Sequence, residues 1–330
     1  MVEIMHMHDE IMEEPEVIMK TYRSVLPSFP EIKEEMENSR LIFITGDGSS
    51  FHASLYLEHI LMNNSFIAKA FPATEYDHYL KNADKNDLAI IFSQSGENVD
   101  VLSAARAWKE KGKRLISIVN NEGSRLEKIS DISVFLRAGR EMAIPATKTY
   151  ISMLIFSYSL HLSLNGIEAN ERISIISQRV EEIIKNVRIL EEISGRIGEM
   201  VIILASGLDY VTALEGSLKL METAGIISMP FYIGEVFHGP IEIIDKNSTV
   251  FVIENNKMLD SIEKLSKYTK PLIIGDDKKG DILVQCPFRE ASPILNVVPF
   301  QFISYFLALR RGRDPDRPQR LNKVVTHDGY

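Results

Sequence analysis

Cysteine is almost absent: Cys286 stands alone in 330 residues. No internal disulfide can form, which fits a reducing compartment and leaves the fold to its apolar core. No basic block stands out either. Lys and Arg number 37 against 46 Asp and Glu, a net charge of −9, and that balance argues against nucleic acid as a partner. The short run Arg310-Arg311-Gly312-Arg313 is followed at once by Asp314 and Asp316, and it reads as a local salt-bridged turn. The most apolar stretch, Tyr150 to Leu164, holds serines and His161 and is too short for a membrane span, so it reads as a buried core helix. The acidic N-terminus "MVEIMHMHDEIMEEPE" lacks the basic-then-apolar pattern of a signal peptide. His6 and His8 lie at a terminus that frays, so no metal is expected there. There is no Walker A loop and no GxGxxG fingerprint, which argues against a dinucleotide cofactor. These absences predict a cytoplasmic protein with no membrane partner.

What is present is ordinary globular material, 45% hydrophobic and 25% charged, with length for about two domains. Residues 7–37 look helical and polar, with a turn at Pro27–Pro30. Apolar runs then alternate with amphipathic stretches. The first half offers strands at 40–46, 66–72, 87–93, 114–120 and 131–138, the second at 200–207, 225–232, 248–255, 270–277 and 281–287. Runs of Ile, Val, Leu and Phe without alternation mark strands buried on both faces, hence parallel sheets covered by helices. An α/β fold in two copies follows. Gly46 to Gly207 and Ile90 to Phe251 are both 161 apart, which suggests one common offset between the copies. A helical region over 169–196 would join them. Open sheets of this kind bind ligands at the carboxyl ends of their strands.

Two first-half strands end in loops of small hydroxyls. One is Gly46-Asp47-Gly48-Ser49-Ser50; the other is Ser93-Gln94-Ser95-Gly96 in "DLAIIFSQSGENVD". Glycine lets backbone approach a ligand, serine adds donors, and the following helix N-terminus favours an anion. Neither loop has a lysine, so neutral donors would hold a phosphate. The same serines would serve as helix N-caps, the competing reading. A weaker candidate is "AIPATKTY", with Thr147 and Lys148 at the start of the apolar helix.

The second half has no serine loop after its first strand. It has "ASGLDYVTALEGSLKLMETAG", where Glu215, Lys219 and Glu222 fall on one helix face. Such a pattern is commonly an exposed ion-pair ladder. Here the neighbours Ala213, Leu214, Gly216, Ser217, Leu218 and Leu220 are small or apolar, so a buried, pKa-shifted acid–base group is expected instead. His238, between Gly234 and Gly239-Pro240, sits in a loop and is a candidate for proton transfer or a structural histidine. Lys323 lies near the C-terminus, and its spacing alone says nothing of catalysis.

Taken in order, these motifs resemble the double sugar-isomerase (SIS) domain family, over nearly the whole chain. The resemblance is closest to the isomerase portion of glucosamine-6-phosphate synthase and to archaeal glucosamine-6-phosphate deaminases. "MHDEIMEEPEVI", "GDGSSFHASL", "SQSGENVDVL", "IVNNEGSRLEKISD", "AGREMAIPATKTY", "ALEGSLKLMETAG", "GEVFHGPIEIID" and "RGRDPDRPQRLNKVVT" carry it. The resemblance implies two tandem three-layer αβα sandwiches, each with a five-stranded, mainly parallel sheet. The boundaries would be a helical segment 1–37, a first SIS domain 38–168, a linking helix 169–196 and a second SIS domain 197–330 with a catalytic tail.

The resemblance also implies roles. Gly48, Ser49, Ser50, Ser93, Gln94 and Ser95 would bind a sugar phosphate, with Asn98 nearby, and Ala146 and Thr147 would line the sugar. Glu222 would shuttle a proton between C1 and C2. Lys323 would form a Schiff base with the open-chain ketose or stabilise an enediol oxyanion. His238 would open the ring, supplied across the interface of a homodimer. Lys219 and Glu215 would orient Glu222. No metal or cofactor is required. Three departures from the family pattern stand out: Asn98 for threonine, Pro145-Ala146 for Ala-Ser, and Ile227-Ser228-Met229 for His-Ala-Glu. The chain begins at the isomerase portion, so a glutaminase domain is not expected, and ammonia would be free or come from another chain.

The expected reaction is glucosamine 6-phosphate to or from fructose 6-phosphate and ammonia. The alternatives are a fructosamine-6-phosphate deglycase and a non-catalytic sugar-phosphate sensor.

Overall fold

A computed structural model describes residues 6–81, 83–253, 259–276 and 280–324. The strand expectations for residues 254, 255 and 277 lie outside these. The chain opens with helices α1 (His6–Met12), α2 (Glu14–Val25) and α3 (Phe29–Glu37), the last two joined by a single 3-10 turn at the Pro27 position. Five strands follow: β1 (Ile42–Gly46), β2 (Ala68–Pro72), β3 (Leu88–Ser93), β4 (Arg114–Val119) and β5 (Ile132–Phe135). Between them run α4 (Ser49–Asn63), α5 (Tyr76–Leu80), α6 (Val99–Glu110) and α7 (Arg125–Ile129). The apolar helix α8 (Lys148–Leu164) comes next, then α9 (Ala169–Lys185) and α10 (Val187–Ser194). The second set is β6 (Met200–Ala205), β7 (Ile227–Tyr232), β8 (Ser248–Ile253), β9 (Leu272–Gly275) and β10 (Ile282–Leu283), with α11 (Tyr210–Lys219), α12 (Leu259–Leu265) and α13 (Ser292–Arg310).

Both sheets are five-stranded and parallel throughout, ordered β2-β1-β3-β4-β5 and β10-β9-β8-β6-β7. Read from β7, the second order repeats the first, which bears out the duplicated α/β design. The common offset of 161 does not hold. Ile44 pairs with Ile90, a separation of 90 − 44 = 46, whereas Ile203 pairs with Phe251, a separation of 251 − 203 = 48. The second copy carries two more residues between these strands, so Gly207 lies beyond the end of β6 while Gly46 is still within β1.

The described residues form two compact units, each discontinuous in sequence. One comprises Glu14–Glu141, Lys148–Ser177 and the tail from Asn322; the other comprises the chain up to Glu13, Met142–Thr147 and Gln178–Leu321. In the first, β1 and β3 are buried along their whole length, as their unalternating sequences require. Trp108 packs its ring edge on Phe43, 5.4 Å between centroids, and donates Nε1–H to the Arg114 carbonyl at 2.8 Å. α8 is buried on nearly every face, so it is a core helix as its composition indicates. Each fully buried large apolar side chain of such a core contributes about 1.5–3 kcal/mol relative to exposure.

In the second unit α13 fills the position that α8 holds in the first. Of the described residues, only the helical stretch Arg289–Arg310 is long and apolar enough to cross a bilayer, and 89% of its apolar window is buried inside the protein. Its Phe300 ring lies against Gly216 of α11, where a Cβ would sit 2.8 Å from the ring. The basic run at its end is not a salt-bridged turn. Arg310 donates to Ser194 Oγ at 3.0 Å, and the Arg313 guanidinium lies against Gly225. Asp316 instead accepts the first amides of α1, His6 N–H and Met7 N–H, both at 2.7 Å. Asp314 stays local, accepting the Asp316 and Arg317 amides at 2.8 and 3.3 Å.

Candidate active site

The two hydroxyl loops sit at the carboxyl ends of β1 and β3, which are neighbours in the first sheet. None of the four serines caps a helix. The N-cap of α4 is Gly48, at φ 52°, and that of α6 is Asn98. Ser49 and Ser50 form the first turn of α4, where backbone amides have no place in the helical ladder. Ser93 and Ser95 are buried, and each hydroxyl accepts a loop amide: Gly96 N–H to Ser93 Oγ at 3.0 Å, Glu97 N–H to Ser95 Oγ at 3.1 Å. Each hydroxyl keeps its own proton to donate. Gly96 adopts φ 68°, and a side chain there would also collide with Ser124 Oγ, so the loop is closed by glycine for two separate reasons. Facing helix ends and free hydroxyl protons suit an anion.

A chain of hydrogen bonds links this cradle to the tail. The Gln94 carbonyl accepts Asn120 N–H at 3.2 Å. The Asn120 side chain donates to the Gly139 carbonyl at 2.8 Å and accepts Ala138 N–H at 2.8 Å. That fixes the loop carrying Glu141, which is buried and accepts from Thr149 N–H at 3.1 Å, Thr149 Oγ1 at 2.7 Å and Lys323 Nζ at 2.7 Å. The tail lysine is therefore not merely solvated. It is three-quarters buried, and a carboxylate 182 positions away holds it.

In the other unit, Glu215, Lys219 and Glu222 form one buried cluster. Lys219 Nζ lies 3.1 Å from Glu215 and is also bonded to Glu222. Their side chains are 0%, 1% and 12% exposed for Glu215, Lys219 and Glu222, which excludes the surface ladder. Burial alone would drive the Lys219 ammonium down, but the two carboxylates outweigh it and hold it above the ordinary lysine range. The three are not all on one α-helix, however. After Lys219 the helix widens to a π-turn over Leu220–Ala224, ending at Gly225 in the left-handed region. Glu222 thus projects from the π-turn, a local geometry common at functional sites.

At the β6 end, where the first unit has its cradle, the second unit places its own carboxylate. Asp209 is fully buried and held by Arg289 at 2.5 Å, Ser292 Oγ at 2.5 Å and Asn296 at 3.2 Å. Burial pushes its carboxyl up, against the pull of Arg289, Ser292 and Asn296. His238 is exposed at the end of a one-turn 3-10 helix, Glu235–His238, rather than in an open loop. Thr147 is buried and Ala146 half-buried, immediately before α8. Cys286 is a free thiol that burial pushes up to about 12, which makes it a poor nucleophile.

The SIS domain model matches residues 35–163 and 199–306. The chain belongs to the SIS-domain family. Among its relatives is the glutamine–fructose-6-phosphate aminotransferase [isomerizing] of Sulfolobus acidocaldarius, 31% identical over 96% of this chain and 56% of that protein. The protein of the same name from Thermotoga maritima is 31% identical over 97% of this chain and 58% of its own length. The chain thus spans little more than half the length of these relatives. Among solved structures, a glucosamine-6-phosphate deaminase from Thermotoga maritima superposes with a TM-score of 0.84 at 26% identity, covering 97% of this chain and 99% of the other. The C-terminal domain of glucosamine-fructose-6-phosphate aminotransferase from Francisella tularensis gives 0.83 at 25% identity, covering 95% and 98%.

Within this SIS frame, sequence reading missed Asn120, Glu141 and the Asp209 cluster. The partners of Glu141 and Asn120 are distant in sequence, and no local spacing marks them.

Proposed function

We propose that this chain is a sugar-phosphate isomerase of the SIS type, acting on a 6-phosphorylated amino sugar. The reaction is glucosamine 6-phosphate to or from fructose 6-phosphate and ammonia. The observation that carries this is the buried Glu215–Lys219–Glu222 cluster on a π-turn. Aldose–ketose conversion needs a base on one face of C1–C2, an electrophile at the carbonyl and a donor for ring opening. Glu222 takes the proton from one carbon and returns it to the other, with Lys219 and Glu215 fixing its carboxylate. Lys323 serves the carbonyl. If its amine attacks, Glu141 is placed to accept the proton the ammonium must lose; if it stays charged, it stabilises the enediol oxyanion. Gly48, Ser49, Ser50, Ser93, Gln94 and Ser95 hold the phosphate, Ala146 and Thr147 line the sugar, and a partner subunit's copy of the 238 imidazole opens the ring. The relatives' printed activities and the name of the solved deaminase support the substrate class.

Purified protein should convert glucosamine 6-phosphate to fructose 6-phosphate with ammonia release. Glu222→Gln and Lys323→Ala should each lower kcat by at least about a hundredfold, while Ser93→Ala should mainly raise KM. Turnover unchanged in both of the first two variants would favour the sensor reading. The departures at Asn98 and Ala146 motivate a second reading, a deglycase of fructosamine 6-phosphate adducts. Release of an amino acid rather than ammonia from such adducts would favour it.

A further inference from the structure

The cradle loop after β3 is braced from outside. Residues 120–126, which run from the end of β4 into α7, bond it along its length. Asn120 N–H donates to the Gln94 carbonyl at 3.2 Å and Leu126 N–H to the Gly96 carbonyl at 3.1 Å. Beside them Arg125 takes hold of Glu97. Its main-chain N–H donates to Glu97 Oε1 at 2.8 Å, its Nε to Oε2 at 2.6 Å and its Nη2 to the Glu97 carbonyl at 3.1 Å. One residue thus occupies both carboxylate oxygens and the loop backbone. Stability alone gives little reason for so complete a hold. The Arg125 and Glu97 side chains are 49% and 34% exposed, and ion pairs so open to water add little to folding. Position gives a better reason. Glu97 follows Ser95 by two residues, and its own N–H donates to the Ser95 hydroxyl. Burial would raise its carboxyl, but the Arg125 bonds outweigh burial, Lys128 adds to them, and the carboxyl is held below the ordinary range. The acid is therefore charged at neutral pH, and neither hydroxyl loop carries a lysine or arginine to answer it.

We propose that Arg125 is a positioning residue of the phosphate cradle, holding the Glu97 carboxylate and cancelling its charge so that the loop can accept a phosphoryl dianion. The inference rests on the sugar-phosphate reading of the cradle and deepens it: phosphate affinity depends on a residue outside both hydroxyl loops. Neutral donors hold a dianion poorly where an uncompensated negative charge stands beside them. With Arg125 in place, its charge and that of Glu97 cancel. Without it, a negative charge that nothing tethers lies in the same short loop as the hydroxyls that must donate. Arg125 acts on the ligand only through Glu97. Its effect is therefore removable, because neutralising Glu97 makes Arg125 dispensable for binding. Its effect is also electrostatic, so added salt weakens it, whereas a displaced loop would stay displaced.

Calorimetric titration with sorbitol 6-phosphate, which has no carbonyl to react, tests this at neutral pH. At low salt Arg125→Ala should raise the Kd at least about tenfold over wild type, and in turnover the loss should appear in KM rather than in kcat. At about 0.5 M sodium chloride the gap between variant and wild type should shrink to about threefold or less. The double variant Glu97→Gln with Arg125→Ala should bind within about threefold of wild type at low salt. Arg125→Gln serves the same arm if the alanine variant does not fold. An unchanged Kd in Arg125→Ala overturns the inference. So does a double variant as weak as the single one, since Arg125 would then act on the ligand directly or on the fold, and so does a gap that salt leaves untouched. Absence of any wild-type binding overturns the sugar-phosphate reading as well, and that outcome is distinct from wild-type binding that Arg125 does not influence.

Discussion

Lys219 is enclosed so fully that its charge is answered only inside the protein. Two carboxylates share it, and each constrains the other through it. Removing the cation leaves two buried acids facing each other. Lys219→Met should therefore cost about 3–5 kcal/mol of stability, seen as a lower urea midpoint, and pairing it with Glu215→Gln should recover part of the loss. A surface ladder of the same sequence would lose well under about 1 kcal/mol, so the size of the effect separates the two. This cluster was legible because spacings of four and three hold it within two helical turns and its neighbours are apolar. Glu141 was not, since its partner Lys323 comes from the far end of the chain.

Among the elements, the strands were readable and the turns between them decide the site. All ten strand runs seen in the sequence are present, because unalternating apolar stretches have few other places to go. α13 was overlooked, since Pro293 and Pro299 interrupt a pattern that otherwise marks a core helix. The π-turn was invisible as well: one extra residue in a turn leaves no mark in hydrophobic spacing. The two glycines of the cradle make a contrast that can be measured. Gly48→Ala meets only the strain of a positive φ, with open space around it, and should cost about 1–3 kcal/mol. Gly96→Ala meets a positive φ and, besides, the Ser124 side chain, and should cost about 2–4 kcal/mol by chemical denaturation, with a raised KM as well.

For the whole molecule, the duplication was legible and its arithmetic was not, because strands keep their order while the connections between them change length by two residues. The proposed dimer adds a prediction at this scale. If one subunit's 238 imidazole serves its partner's site, His238→Ala and Lys323→Ala chains are each inactive alone. Co-expressed, they should regain about a quarter of wild-type activity, because half the dimers are mixed and each mixed dimer has one intact site. Activity absent from the mixture would place ring opening within a single chain. One further consequence follows from how the chain is divided between its two units. The unit holding the cradle takes most of its residues from before Ser177, yet it is completed only by the tail from Asn322. On the ribosome that unit can collapse around its first sheet early, but it stays unfinished until the segment from Asn322 has been made. Lys323 reaches Glu141 only after the intervening residues of the other unit have been made, so a chain cut short before Asn322 would hold a formed cradle and no tail lysine.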